Sequence, residues 1–275
     1  MVFMENQKVS AEGIFSQTAL QNQRFYEAHK IKDFAWVSQK VLVGCPTSEK
    51  KEYCLEKFVE GLKGLTYKNF DVCLEDNSKG KEYYKKLLGI AQQWNKEKFP
   101  SKFEVIYSGL TSEKARKRVV NGRNKLRKKL LGEGYDYFFS LEQDVVAPAN
   151  AIEKLLSDDK KIVSAVYLNL MQDKRVNVVA YRFDSEEHKR KGLISPLGLL
   201  NILPSQVMEV AATGVGAMVI HRSVLEKISF RYEPKEKAYD DIYFARDARN
   251  AGYKIFLDSS LFCQHYFKPS FTKYD

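Results

Sequence analysis

The sequence has little cysteine and no pattern in what it has: Cys45, Cys54, Cys73 and Cys263 stand far apart, with no CxxC pair among them. That spacing offers neither a zinc knuckle nor a disulfide framework, and free thiols in a reducing compartment fit it best. No apolar run reaches the roughly 18 residues a membrane span needs. The first residues also lack the compact apolar core of a secretion signal, so a cytoplasmic protein is expected. There is no internal repeat and no low-complexity linker. What is present is a chain of 275 residues with 44% hydrophobic content, enough to bury the core of one large α/β domain with embellishments. Its net charge of +10 suits an acidic partner, whether nucleic acid, an anionic membrane surface or a phosphate-bearing substrate. A lysine-rich surface that serves solubility is the plainer alternative.

Residues 1–39 carry spaced apolar positions (Ile14, Phe15, Leu20, Phe25, Phe34, Trp36) among polar ones, the pattern of a helical N-terminal extension. The domain proper is expected over 40–275. Its first strand is the β-rich run 40–47, stopped by Pro46, with a helical pattern following through Leu62. A strand at 70–75 runs into the polar turn Asp76-Asn77-Ser78, and a helix follows from about Gly80 to Asn95. Next come a strand at 103–107, a long basic helix from Ser112 to Leu131, and a strand from Tyr135 to Leu141 that ends in Glu142-Gln143-Asp144. Strand and helix thus alternate repeatedly, which predicts a largely parallel sheet with helices on both faces. Ligands of such sheets bind beyond the carboxyl ends of the strands, and there Pro46 and Thr47, Asp76 to Ser78, and Glu142 to Asp144 should converge. The second half is less regular: a strand at 161–166, a hairpin near Val178 to Arg182, a Gly/Pro-punctuated stretch from Gly192 to Pro204, and the segment 212–220. A helix starts at Arg222, another opens at Tyr239-Asp240-Asp241, and the last strand is expected at 254–257.

Glu142 and Asp144 emerge together from an apolar strand. Hard divalent cations prefer such oxygens, and Mg²⁺ or Mn²⁺ held by one or two carboxylates keeps open positions for a diphosphate. The alternative is a solvated turn, with Asp144 capping the helix from Ala149. In the basic helix, Ala115, Val119, Leu126 and Leu130 mark a buried face, and Arg116, Lys117, Arg118, Lys125, Lys128 and Lys129 lie mainly off it. Asp76-Asn77-Ser78 offers short acceptors for a pyrimidine NH or ribose hydroxyls, or is plain βα-turn chemistry.

The stretch from Gly122-Arg123-Asn124 through Phe138-Phe139-Ser140-Leu141-Glu142-Gln143-Asp144 to Pro148 resembles the core of GT-A-fold glycosyltransferases of the family 2 type. In that family a Gly/Ala-Arg-Asn helix precedes a strand ending in a metal-binding Asp-x-Asp; here the first acid is Glu142. The resemblance covers nearly everything from Lys40 to about Phe267. It implies a GT-A, Rossmann-like, mixed but mostly parallel sheet flanked by helices, and inverting transfer from a UDP- or GDP-linked sugar to a hydroxyl of a glycan, glycolipid or protein-linked acceptor. It further implies that Glu142 and Asp144 hold the metal with His265 as a third contact, a histidine favouring Mn²⁺. Pro46, Thr47, Asp76, Asn77 and Ser78 would then meet the nucleoside, and Arg123, Asn124 and Gln143 would border the rest of the donor. Thr213, Gly214, Val215, Gly216 and Ala217 would line the sugar and acceptor pocket. Asp241 would be the general base and Asp240 its partner, although two acids at a helix start also complement the dipole.

Two rivals follow from the residues. A nucleotidyltransferase would place a glycine-rich, basic loop straight after the first strand, where this chain has Gly44-Cys45-Pro46-Thr47-Ser48-Glu49-Lys50. A basic binding module would use the long helix and the aromatic and basic run from Tyr266 to Tyr274. The acids at 142, 144, 240 and 241 suit no polyanion groove, so nucleic acid is not expected, whereas peripheral contact with an anionic membrane carrying the acceptor is compatible with the charge.

Overall fold

A computed structural model describes residues 38–97, 99–170, 176–235 and 238–267. The expected N-terminal extension, up to residue 37, and the aromatic and basic run beyond Phe267 lie outside the described residues.

The main sheet has eight strands: β1 (Val41–Thr47), β2 (Phe70–Asp76), β3 (Phe103–Tyr107), β4 (Tyr137–Leu141), β5 (Ile162–Val166), β6 (Val207–Val210), β7 (Ala217–His221) and β8 (Ile255–Phe262). Their order across the sheet is β6-β8-β5-β7-β4-β1-β2-β3. β7 runs antiparallel to both β4 and β5, and β6 antiparallel to β8; the other pairings are parallel. The helices are α1 (Leu55–Lys63), α2 (Glu82–Lys96), α3 (Ala115–Gly132), α4 (Ala151–Ser157), α5 (Glu186–Lys191), α6 (Arg222–Lys227) and α7 (Asp240–Asn250).

Alternation along β1 explains why that strand reads as one apolar run. Val41, Val43 and Cys45 pack on one side with Leu55, Phe58, Leu87 and Trp94, while Leu42 packs on the other with Leu126, Leu130 and Phe138. With helices on both faces the first positions of β1 are apolar in succession, and each fully buried Leu, Val or Phe contributes about 1.5–3 kcal/mol. Among the described residues no helix is long and apolar enough to cross a membrane.

Three sequence expectations are corrected. The hairpin near Val178 does not form within 178–182: Val176–Val178 pairs back onto Leu168–Leu170, and Ala180–Arg182 pairs with Ser195–Pro196 and with Ala212–Thr213. The turn between the two short segments redirects the chain, so each finds a different partner. The buried face of α3 holds Leu126 and Leu130 as expected, but Ala115 is exposed and Val119 half-buried, and Arg118, Val120, Gly122 and Arg123 are buried as well. Arg118 is thus no part of a solvated face; it donates to the carbonyls of Ser112 (2.6 Å) and Glu113 (2.9 Å). Finally, Asp144 does not cap the helix after it, since α4 begins at Ala151 with Asn150 at the cap position.

The register aligns the carboxyl ends. Thr47 lies opposite Asp76, and Asp76 opposite Tyr107. Because β7 is antiparallel to β4, Ala217 lies opposite Leu141, which brings the glycine segment before β7 beside the turn after β4.

Candidate active site

The turn after β4 is closed by the Val145 N–H donating to the Glu142 carbonyl (2.8 Å) and tied to the glycine segment by the Glu142 N–H donating to the Gly216 carbonyl (2.9 Å). Gln143 is buried and fully engaged. Its Oε1 accepts from the Thr47 hydroxyl and from Tyr83 Oη (2.9 Å), and its Nε2 donates to the Lys51 carbonyl (2.7 Å). Gln143 and the Thr47 hydroxyl therefore brace β1, α2 and the turn against one another.

Asp144 is deeply buried, and its Oδ2 faces three groups: the Lys51 ammonium, Tyr53 Oη (3.5 Å) and His265 Nε2 (3.5 Å). Its Oδ1 is buried without a hydrogen-bond partner. Burial disfavours the ionised carboxyl, but His265 and Lys51 outweigh it and hold the group below its ordinary value. His265 is fixed beside the turn because Gln264–His265 pairs with Val145–Val146, and its Nδ1 lies 2.7 Å from the Leu168 carbonyl. Nδ1 therefore carries a proton, and the Nε2 edge facing Asp144 holds a second proton or, in its place, a cation. Burial opposes the imidazolium, but Asp144 overrides it and raises the His265 pKa.

Arg123 is almost wholly buried (1% exposed) and joins the two acidic ends of the site. Its Nε donates to Asp240 Oδ2 (2.7 Å), its Nη2 to Glu142 Oε1 (2.5 Å) and its Nη1 to Ser140 Oγ (2.6 Å). Burial works against the guanidinium charge, and Asp240 and Glu142 more than restore it. Asp240 and Asp241 open α7, where Asp241 Oδ1 accepts from the Ile242 N–H (2.7 Å). Asp241 is partly buried, and that burial, reinforced by the charge of Asp240, pushes its carboxyl up to about 7. A carboxyl poised near neutrality is the property a general base needs.

The glycine segment divides by direction. Thr213, Val215 and Ala217 are buried; the Thr213 hydroxyl donates to the Val179 carbonyl (2.9 Å). Gly214 and Gly216 face Tyr167, whose hydroxyl accepts from the Gly216 N–H (3.1 Å). A Cβ on Gly214 would collide with that hydroxyl, and one on Gly216 would come within 3.4 Å of Glu142 Oε2. The two positions are glycine because the backbone passes this close to a buried phenol.

At the end of β2, Asp76 Oδ1 accepts from the Ser78 N–H (3.0 Å) and hydroxyl (2.5 Å), while its Oδ2 is buried without a hydrogen-bond partner. Asn77 is engaged on both ends, donating to Glu75 Oε2 (3.3 Å) and accepting from Arg118 Nε (3.3 Å). Pro46 packs against Gly122, with no room there for a side chain on α3. Asn124 lies apart from the acids: its amide pairs with the Phe230 backbone in both directions (2.8 and 3.0 Å).

Among the expected residues, Arg123 links Glu142 to Asp240, next to Asp241 at the start of α7, and Asp144 faces His265 two residues beyond Glu142, with Gly216 against the same turn. Gln143, Asn77 and Asn124 are bracing groups whose polar atoms are already used. Sequence reasoning missed Lys51, Tyr53 and Tyr167. Lys51 sits in an unremarkable Lys-Lys pair; Tyr167 follows a strand, and the two glycines that its phenol requires were its only trace.

The donor set fits a divalent ion in an open site. Asp144 Oδ2 and His265 Nε2 face each other (3.5 Å) and offer a carboxylate oxygen and an imidazole nitrogen, whereas Glu142 Oε1 is paired with Arg123. Among the described residues no three His, Cys, Asp or Glu side chains are grouped closely enough to close around an ion. The protein would supply few ligands and leave positions for oxygens of a diphosphate, as Mg²⁺ and Mn²⁺ sites of phosphate chemistry do.

No protein-family model matches the sequence, and no curated protein matches it. Solved structures do resemble the fold. One is GalNAc-T7 with UDP, GalNAc and Mn²⁺, with a TM-score of 0.54 at 13% identity over 84% of this chain and 44% of that one. Another is the mannosyltransferase PcManGT from Pyrobaculum calidifontis in complex with GDP-Man and Mn²⁺, with a TM-score of 0.50 at 13% identity over 92% of this chain and 65% of that one. The chain therefore has the GT-A fold, and it spans between 44% and 65% of the length of these two proteins.

Proposed function

We propose that this protein is a metal-dependent glycosyltransferase that moves a sugar from a nucleoside diphosphate to an acceptor hydroxyl with inversion at the anomeric carbon. The observation that carries the reading is the Asp240–Arg123–Glu142 chain of ion pairs, which links a helix start bearing Asp241 to the turn bearing Asp144, beside which His265 sits. A carboxylate suited to accept a proton and a donor set suited to a diphosphate-bound cation thereby share one rigid frame. Asp241 would take the proton of the acceptor hydroxyl as its oxygen forms the new bond to the anomeric carbon. The bond to the diphosphate oxygen breaks on the opposite face, and one displacement inverts the centre. Asp144 and His265 would hold a divalent cation, which when bound would supply charge neutralisation of the leaving nucleoside diphosphate.

Gly214 and Gly216, packed on Tyr167, would back the pocket for the transferred sugar. Asp76, with its unpartnered Oδ2, is the acceptor offered to the nucleoside, a uridine or guanosine diphosphate. The acceptor is a glycan or lipid-linked hydroxyl, and the net charge of +10 suits one presented on an anionic surface on the cytoplasmic side. The test is calorimetric binding of UDP and of GDP with Mn²⁺ and with EDTA, repeated on Asp144→Ala. Metal-dependent binding of one nucleotide, lost in the variant, is the expected result. Absence of binding of both under every condition overturns the reading.

A further inference from the structure

The residue that the proposed chemistry leaves unexplained is Lys51. Its ammonium sits on Asp144 Oδ2, where a divalent cation would otherwise be drawn, although its side chain keeps 32% exposure and so has a way out to solvent. Its backbone has no such freedom. The Lys51 N–H donates to the Ser48 carbonyl (2.9 Å), and its carbonyl accepts from Gln143 Nε2 (2.7 Å) and Cys54 Sγ (3.1 Å). Gln143 precedes Asp144, so the turn that carries the acid also pins the main chain that carries the base. Lys50, immediately before it, is exposed and has no part in this arrangement.

A buried carboxylate without a counter-charge is costly, whereas an ammonium and a divalent ion cannot share one carboxylate oxygen without strong repulsion. The pinned backbone holds the ammonium within reach of Asp144, and the partly exposed stem lets it leave. We propose that Lys51 is a built-in counter-ion of the metal position: it occupies Asp144 in the empty protein, yields to the incoming cation, and turns its charge to the donor diphosphate. The inference rests on the metal-dependent reading above and deepens it, because it makes cation and donor bind together. A cation alone must displace Lys51, whereas a cation arriving with a diphosphate gives the displaced ammonium a new partner.

The test measures Mn²⁺ uptake directly, by the electron paramagnetic resonance signal of free Mn²⁺, with no turnover involved. In the nucleotide-free protein, Lys51→Met and Lys51→Gln should each bind Mn²⁺ about tenfold or more tightly than the wild type, the effect of removing one charge in contact with the ligand. Lys50→Met should match the wild type and Asp144→Ala should bind none. With saturating Mn²⁺, the same two Lys51 variants should bind UDP or GDP, whichever the wild type takes, about tenfold more weakly. Thermal unfolding checks that each variant is folded, and two substitutions of different polarity guard against a packing artefact. Equal Mn²⁺ affinity in the wild type and both Lys51 variants overturns the counter-ion role and leaves the metal-dependent reading intact. Failure of every variant to take up Mn²⁺, with or without nucleotide, overturns both.

Discussion

Asp241 is the residue on which the proposed reaction can be tested most sharply, since its acidity has a stated origin. Burial pushes its carboxyl to about 7, with the charge of Asp240 as the next contribution, Glu142 adding to it, and the Ile242 N–H and Arg123 acting in the opposite direction. With that value roughly one-tenth of the protein carries the ionised base at pH 6 and roughly nine-tenths at pH 8, so the transfer rate should rise about tenfold over that interval. Replacing Asp240 by Asn removes the like charge and frees more of Arg123 to favour the anion. A neighbouring carboxylate moves such a group by about one unit or more, which would leave Asp241 roughly half ionised at pH 6. The acid limb of the rate profile should therefore move down by about one pH unit, whatever happens to its height. Two assays read this independently: carboxyl-selective ¹³C NMR titration, which needs no substrate, and release of nucleoside diphosphate across pH 5.5–8.5. Asp241→Asn should lower the rate by about 10²–10⁴ and flatten the profile. An Asp241 that titrates with ordinary carboxylates, or an acid limb unmoved by Asp240→Asn, would refute the reasoning.

Further outcomes follow from the same contacts. Arg123→Met strands Glu142 and Asp240 without their shared cation and should cost about 3–5 kcal/mol in denaturant unfolding, with part recovered in the double variant Arg123→Met, Asp240→Asn. Gly214→Ala forces its methyl against the Tyr167 hydroxyl and should cost about 1–3 kcal/mol, together with nucleotide-sugar binding measured by calorimetry. Asp158, at the carboxyl end of α4, has its pKa raised by burial and by the charge of Asp258, with Lys154 shared between the two acids. A folded-state pKa above the unfolded one means that the folded protein holds the extra proton, so stability falls as pH rises from the ordinary carboxylate range through the raised value. Asp158→Asn should therefore gain on the wild type at pH 8, by about 3 °C or more in Tm, and show little difference at pH 5.

Strand positions in the first half were legible because β1, β2 and β4 are short, largely apolar runs that give way to polar residues at Thr47, Asp76 and Glu142. Those signals are local. Where pairing depends on distant partners the sequence misled: Val178 and Arg182 lie close enough for a hairpin, yet the chain bends between them. On α3 the buried face was legible at Leu126 and Leu130, whereas Arg118, assigned to the charged face, is buried by virtue of its partners. The motif resemblance pointed to the acids, Arg123 and His265, but not to Lys51 and not to how these groups pair. That Arg123 binds acids from both ends of the site, and that Lys51 reaches Asp144 across 93 residues, are products of topology that no spacing encodes.

The charge of this protein and the charge of its site are different quantities. The chain carries +10, yet the site gathers Glu142, Asp144, Asp240 and Asp241 around Arg123, Lys51 and His265. Neutralising those acids internally leaves the site near balance, so the excess lies on other surfaces, for example on α3 at Arg116, Lys117 and Lys128. Salt should therefore separate the two effects. Interactions among exposed charges fade beyond about 8–10 Å at physiological ionic strength, while buried pairs are screened far less. If the basic surface brings the protein to an anionic acceptor-bearing membrane, raising salt should weaken binding to anionic vesicles steeply while Mn²⁺-dependent nucleotide binding changes little. Parallel loss of both would mean that the excess charge serves the donor site itself, and the two roles assigned here to separate surfaces would have to be merged.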